Sequence, residues 1–234
     1  MSHAPPPAEI AMTLMPSPPT VADELHTQIR RDIIFGRLKP ATKLKLEGLR
    51  ARYGASVSTL RETLNRLAAE GFVLAEGQKG FDVAGVTAAN LQEVATLRAL
   101  LESHALALSF AAGGLDWEAG VVAAHHKLHQ FERRMLAGDH SVREDWKRYD
   151  FEFHRALIAA CGSQELAAVY ASTFDKYLRY QMLCLTFRAE AAEAEHRALL
   201  EAALARDTER ARRVLAQHIE SGVSHCIASG VLPG

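Results

Sequence analysis

The chain has 234 residues, 48% of them hydrophobic and 24% charged, with a formal net charge of −1. That length holds one large or two small domains with a sizeable core. No apolar run approaches a membrane span and no signal peptide leads the chain, so a cytoplasmic protein is expected. Three cysteines, Cys161, Cys184 and Cys226, lie far apart in helical patterns, which predicts reduced core thiols rather than a disulfide framework or a zinc knuckle.

The small net charge hides an asymmetry. Residues 21–86 carry 11 Lys/Arg against 8 Asp/Glu, whereas residues 87–234 carry 16 against 19. The shorter part is the basic one, as expected of a segment that meets phosphate.

Residues 1–20 hold six of the eight prolines and read as a disordered tail. A helix is predicted over 21–35, with Leu25, Ile29, Ile33 and Ile34 as its apolar stripe. Gly36 stops it and Lys39-Pro40 marks a connection. Two short helices follow, over 46–53 and 56–70, with Gly54-Ala55-Ser56 between them. Glycine permits the sharp turn, and Ser56 can cap the second helix. Phe72-Val73-Leu74 and Phe81-Asp82-Val83 read as two strands around Gly77-Gln78-Lys79-Gly80. Helix, helix-turn-helix and hairpin in that order make a winged helix-turn-helix over 21–86.

No strand pattern appears after Thr87. Thr87 or Asn90 can cap a helix reaching Ala112, and further helices fit 116–137, 141–161, 164–187, 189–206 and 208–228. The fold expected is mostly α: an N-terminal winged helix-turn-helix and a six-helix antiparallel bundle over 87–228, with a short tail at 229–234.

Candidate DNA contacts lie off the leucine stripe of the second short helix. Ser56, Ser58 and Thr59 suit phosphates, and Arg61 can grip a guanine edge through two hydrogen bonds. Arg50 and Arg52 on the preceding helix can hold the backbone, and Lys79-Gly80 at the hairpin tip can enter a groove. The plainer alternative pairs Arg61 with Glu62 or Glu70.

In the bundle, Asp150 and His154 are one turn apart on one helix face, and His196 and His218 follow on two later helices. One carboxylate and three neutral imidazoles suit zinc, nickel or another divalent first-row metal, with a position left open. His125 and His129 form a competing pair, read as solvated or lining residues because no carboxylate stands in register. Lys147 and Arg148 read as a solvated face. A metalloenzyme is the rival reading. However, a di-iron bundle needs two Glu-x-x-His motifs, and only Glu193–His196 has that spacing. No His-Glu-x-x-His, nucleophile elbow or phosphate-binding glycine loop is present.

The run DIIFGRLKPATKLKLEGLRARYGASVSTLRETLNRLAAEGFV, with QKGFDVAGV after it, resembles the GntR winged helix. DFEFHRALIAACGS and EHRALLEAALARDTERARRVLAQHI resemble the FadR-type ligand domain of the FCD subgroup. Together the resemblances span residues 21–228, and LRETL, QKGFDVA and GGLDWEA are most similar to the CsiR-type carbon-starvation repressors. The FCD resemblance implies Asp150, His154, His196 and His218 as metal ligands. It also implies that Arg98 faces an effector cavity and clamps a carboxylate, with Arg98–Glu102 pairing as the alternative. Tyr149, Arg179 and Tyr180 are further candidates for that cavity. The resemblance thus implies a homodimeric, DNA-binding repressor released by a small carboxylate, glutarate first. The chain departs from the family pattern at Ala41, where glycine is usual, at Val57, where an arginine often reads bases, and at Thr59, where proline is frequent.

Overall fold

The computed structural model describes residues 20–77, 80–184 and 188–233, apart from the side chain of Ala189. The expected N-terminal tail up to residue 19 and Lys79 lie outside them. Nine α-helices and three short strands form in the order α1 (Val21–Ile34), β1 (Lys43–Leu44), α2 (Leu46–Tyr53), α3 (Val57–Ala69), β2 (Val73–Ala75), β3 (Phe81–Val83), then α4 (Ala88–Ala112), α5 (Leu115–Leu136), α6 (Arg143–Leu157), α7 (Gln164–Leu183), α8 (Ala189–Leu204) and α9 (Thr208–Ala228) among the described residues.

Local chemistry explains the boundaries. Thr20 and Asp23 close a capping box at the start of α1. Gly54, at φ +67°, ends α2 in the left-handed conformation, and the Ser56 hydroxyl accepts from Thr59 N–H to start α3. Thr87 caps α4 and Ser163 caps α7 in the same way. Gly113 turns the chain from α4 into α5. A Cβ there would sit 2.6 Å from the Trp117 ring, so no larger residue fits without movement.

Leu25, Ile29 and Ile33 of α1 pack with Leu60, Leu64 and Leu67 of α3 over a small sheet that buries Leu44, Val73, Phe81 and Val83. The sheet order is β1-β3-β2, antiparallel, with Asp82 opposite both Lys43 and Leu74. The sequence reading has no β1. A strand of two residues is too short to display alternation, and only its pairing with β3 defines it. In the bundle, α4 packs on α7 and α9, α5 packs on α6 and α8, and α8 packs on α9. α6 stops at Leu157, one turn short of the expected 161.

The two parts meet where α1 packs on α7. Arg30 pairs with Asp175 at 2.8 Å and Arg31 with Glu144 at 2.8 Å, while Arg37 also reaches Glu144. Glu144 belongs to α6. Inside the DNA-reading part, Asp32 is buried and ties α1 to α2 by accepting from Arg52 at 2.6 Å and Tyr53 at 2.7 Å.

Cys184 and Cys226 form a disulfide, with Cα atoms 5.3 Å apart, which corrects the expectation of free thiols there; Cys161 remains free. The pair joins the ends of α7 and α9, a juxtaposition that residues 42 apart do not announce.

Ala41 takes φ +55°, and its N–H donates to the Val83 carbonyl at 3.0 Å. Here the departure from the usual glycine has a physical consequence, because a Cβ in the left-handed region costs about 1–2 kcal/mol. Glycine also has more unfolded entropy to lose. Ala41→Gly should therefore raise stability by a net of about 0.5–1 kcal/mol. The readout is the thermal midpoint, and a lower midpoint would contradict it.

Candidate metal centre and nucleic-acid interface

α6 carries Asp150 and His154, α8 carries His196 and α9 carries His218. All four side chains are buried. One donor atom from each lies within 4.8 Å of the other three, and no second such group of three forms among the described residues. Asp150 Oδ1 stands 3.1 Å from His196 Nε2 and 3.6 Å from His154 Nε2. Yet neither Asp150 Oδ1 nor His196 Nε2 has a hydrogen-bond partner. Two donors bound about 2.1 Å from one metal are themselves roughly 3.0–3.4 Å apart. Two buried polar atoms that face each other at ligand spacing, without a hydrogen bond, fit a shared divalent cation.

The other ring nitrogens are engaged elsewhere. His154 Nδ1 meets Glu102 Oε1, His196 Nδ1 meets Glu132 Oε1 at 2.6 Å, and His218 Nδ1 meets Glu195 Oε2 at 2.8 Å. Sequence reasoning misses Glu132 and Glu195 altogether. They lie 64 and 23 residues from the histidines they hold, so no local spacing reveals them.

Burial would raise the Asp150 carboxyl, but Lys147 and His196 hold it well below the usual carboxylate range. Burial would lower His196, yet Asp150 and Glu132 beside it push it up to about 9. Burial dominates at His218 and pulls it down to about 3. The pocket therefore already favours positive charge between Asp150 and His196.

Arg98 makes the pairing with Glu102 that was the alternative to a cavity role. It is fully buried, its Nε donates to Glu102 Oε2 at 3.1 Å, and its Nη2 lies 3.3 Å from the His154 ring nitrogens. Its Nη1 has no partner. Phe174 and Tyr177 flank the guanidinium at 4.5 and 4.7 Å. Lys147 is not on a solvated face: it is buried, with Nζ 3.1 Å from Asp150 Oδ2 and 2.8 Å from Gln181 Oε1. Its position three residues before Asp150 was the available signal. Arg148 is exposed and pairs with Asp145, as read.

Three expected cavity residues stand elsewhere. Arg179 donates to the Ala84 carbonyl and lines a groove between the wing and the bundle, with Asn90 and Lys176. Tyr149 stacks on Phe131 at 4.7 Å. Tyr180 donates to Asn90 at 2.7 Å. His125 stacks parallel to His129 at 6.1 Å, and neither belongs to the four-residue group.

At the other end, Ser56, Ser58 and Arg61 are exposed around the start of α3, and Thr59 is half-buried. The Ser56, Ser58 and Thr59 hydroxyls hydrogen-bond one another. Glu70 is occupied by His26 and Arg30, so it does not neutralise Arg61. Arg50 is exposed on α2, whereas Arg52 is tied to Asp32. Gly80, at φ +97°, closes the hairpin by accepting from Glu76 N–H at 2.9 Å. Val57 is exposed where the family often has an arginine.

Residues 21–83 match the bacterial regulatory proteins of the gntR family, and residues 93–221 match the FCD domain. The chain belongs to the GntR family. This GntR-family chain is 34% identical to the HTH-type transcriptional regulator BphR of Paraburkholderia xenovorans (strain LB400), over 88% of its length and 84% of that protein's. It is also 34% identical to the HTH-type transcriptional repressor GlaR of Escherichia coli (strain K12), over 82% and 89%. The solved structure of E. coli McbR/YncC superposes with a TM-score of 0.74 at 21% identity, covering 89% of this chain and 98% of that one, and so shares the fold. The matched families and relatives are transcriptional regulators, which rules in regulation over catalysis. No described helix is long and apolar enough to cross a membrane.

His196→Ala and His218→Ala should each abolish metal uptake, read by elemental analysis of the purified protein; full occupancy would remove that residue from the ligand set. Arg61→Ala should weaken binding to a selected operator duplex by about 1–3 kcal/mol and relax preference at one base position. Unchanged affinity would take Arg61 off the contact surface.

Proposed function

We propose that this GntR-family regulator is a cytoplasmic homodimeric repressor that holds a divalent metal, zinc or nickel by its donor set, and leaves its operator when a small carboxylate binds in the bundle. Asp150, His154, His196 and His218 would hold the metal, which would act there as a Lewis acid toward an anionic ligand. Arg98 would clamp the ligand's carboxylate through its unpartnered Nη1.

The observation that carries this reading is charge balance. Around the four ligands, the buried or nearly buried carboxylates are Asp150, Glu102, Glu132 and Glu195, against the cations Arg98, Lys147 and Arg188. With the histidines neutral, the form in which they would bind a metal, that leaves one negative charge in excess. A divalent cation turns the excess into one positive charge, and a bound carboxylate cancels it. Low dielectric makes any remaining imbalance expensive. Glutarate is the first acid to try, because the closest sequence impression is of the glutarate-responsive carbon-starvation repressors.

Ser56, Ser58, Thr59, Arg50 and the hairpin around Lys79 and Gly80 would meet phosphate, with Arg61 on a base edge. Arg52 would support α2 from Asp32. Two copies would reach half-sites about one helical turn apart. α6 supports a route between the sites, since it carries Glu144 at the DNA-reading part and Asp150 and His154 at the metal. A ligand shifts this arrangement only through different affinities for its two states. The second reading keeps the metal as a structural element, with an effector of another class.

Thermal unfolding of the metal-loaded protein with glutarate and related acids tests the proposal. Ligand at about 100 times its dissociation constant stabilises by about 2.7 kcal/mol. A dose-dependent rise that Arg98→Gln removes is expected. A rise with a different acid would discard glutarate, and no rise with any carboxylate would favour the structural metal.

A further inference from the structure

The three cluster histidines share a feature beyond the cluster itself. Each turns Nδ1 to a glutamate on another helix: His154 to Glu102 on α4, His196 to Glu132 on α5, and His218 to Glu195 on α8. An ionised carboxylate only accepts, so a neutral imidazole bonded to it through Nδ1 carries its proton there. Its Nε2 then presents a lone pair. For His154 and His196, that Nε2 is the atom lying 3.6 and 3.1 Å from Asp150 Oδ1. The second nitrogen of a metal-bound histidine is commonly held in this manner, which sets the tautomer and ring orientation.

We infer that Glu102, Glu132 and Glu195 are positioning residues that hold the three imidazoles through Nδ1–H, so that each Nε2 can serve a divalent metal, which at His154 would displace the contact with Arg98 Nη2. The inference rests on reading the buried group as a metal site. It goes beyond the ligand set because the three glutamates touch no metal.

Their surroundings distinguish them. Glu102 is shared with Arg98 Nε at 3.1 Å, and Glu195 is shared with Arg188 at 3.0 and 2.6 Å. Glu132 has no arginine. Its Oε2 is buried without a hydrogen-bond partner, 3.9 Å from His129 Nδ1. A carboxylate buried only to stabilise the fold would be expected to satisfy both oxygens. Glu132 satisfies one, and that one is on His196. Glu132 is therefore the position where removal acts on a metal ligand without freeing an arginine. At Glu102 and Glu195, removal also frees an arginine.

The test measures zinc affinity by competition with a chromophoric chelator for wild type, Glu132→Ala, Glu132→Gln and Glu195→Gln. It adds the visible absorption of the cobalt-substituted proteins. Metal-free unfolding midpoints establish that each variant folds, and the half-buried Glu195→Gln remains if Glu132→Ala does not. Glu132→Ala should raise the zinc dissociation constant about 10–100-fold and alter the cobalt spectrum. Glu132→Gln, whose amide oxygen can still accept, should lose less. Nitrogen-15 spectra of metal-free wild type should show the neutral imidazoles among the three as Nδ1–H tautomers. Zinc affinities within twofold of wild type, an unchanged cobalt spectrum, or Nε2–H tautomers would overturn the proposal while leaving the metal site standing. Failure of wild type to take up zinc or cobalt would overturn the metal reading itself, and this proposal with it.

Discussion

Asp150 is a carboxylate held ionised at 1% exposure, and an unanswered charge at that depth would be strongly destabilising. Most of the bundle interior is arranged around it. Lys147 answers one oxygen, while His196 and His154 face the other. Those histidines bring Glu132 and Glu102, Glu102 brings Arg98, and beside them His218 brings Glu195 and Arg188. The result is a largely buried ionic network spanning α4, α5, α6, α8 and α9. Its members satisfy each other over most atoms and leave Asp150 Oδ1, His196 Nε2, Arg98 Nη1 and Glu132 Oε2 without a hydrogen-bond partner. In a close-packed interior, polar groups left unmatched mark where a ligand belongs.

The same helix that carries Asp150 also meets the DNA-reading part. One helix presents Glu144 to Arg31 and Arg37, and Lys147, Asp150 and His154 to the core. Arg37 also pairs with Asp32 at 3.2 Å, and Asp32 holds Arg52 and Tyr53 of α2. A contiguous run of charged contacts therefore joins the helix that carries Asp150 and His154 to the helix-turn-helix. The outer pairs are half-exposed and individually weak. Their value is positional: they hold the end of α1 against α6.

Residue by residue, the legible and illegible parts differ in range. Caps, glycines and apolar periodicity act within a few residues, so α1 to α9 appear in the sequence with ends close to those observed. Asp150 and His154, one turn apart, and Arg98 and Glu102, also one turn apart, were visible for the same reason. Lys147 reads as solvated because it stands in a Lys-Arg pair, although its spacing of three to Asp150 points inward. Arg179 and Tyr149 carry groups that suit a carboxylate cavity, but residue type does not fix direction. Their helix faces send them to the Ala84 carbonyl and the Phe131 ring.

The sequence by itself determined the two-part organisation, the winged helix, the six-helix bundle, the family and the identity of the metal-capable quartet. The organisation follows from periodic and short-range patterns, and the family and the quartet from motifs that resemble known sequences. Only the tertiary structure decided which glutamate holds which histidine, that Arg98 reaches both Glu102 and His154, that Cys184 meets Cys226, and that β1 exists at all. Those are pairings between helices or strands tens of residues apart. Side-chain spacing along one chain cannot encode them, because they arise only when separate elements are packed face to face.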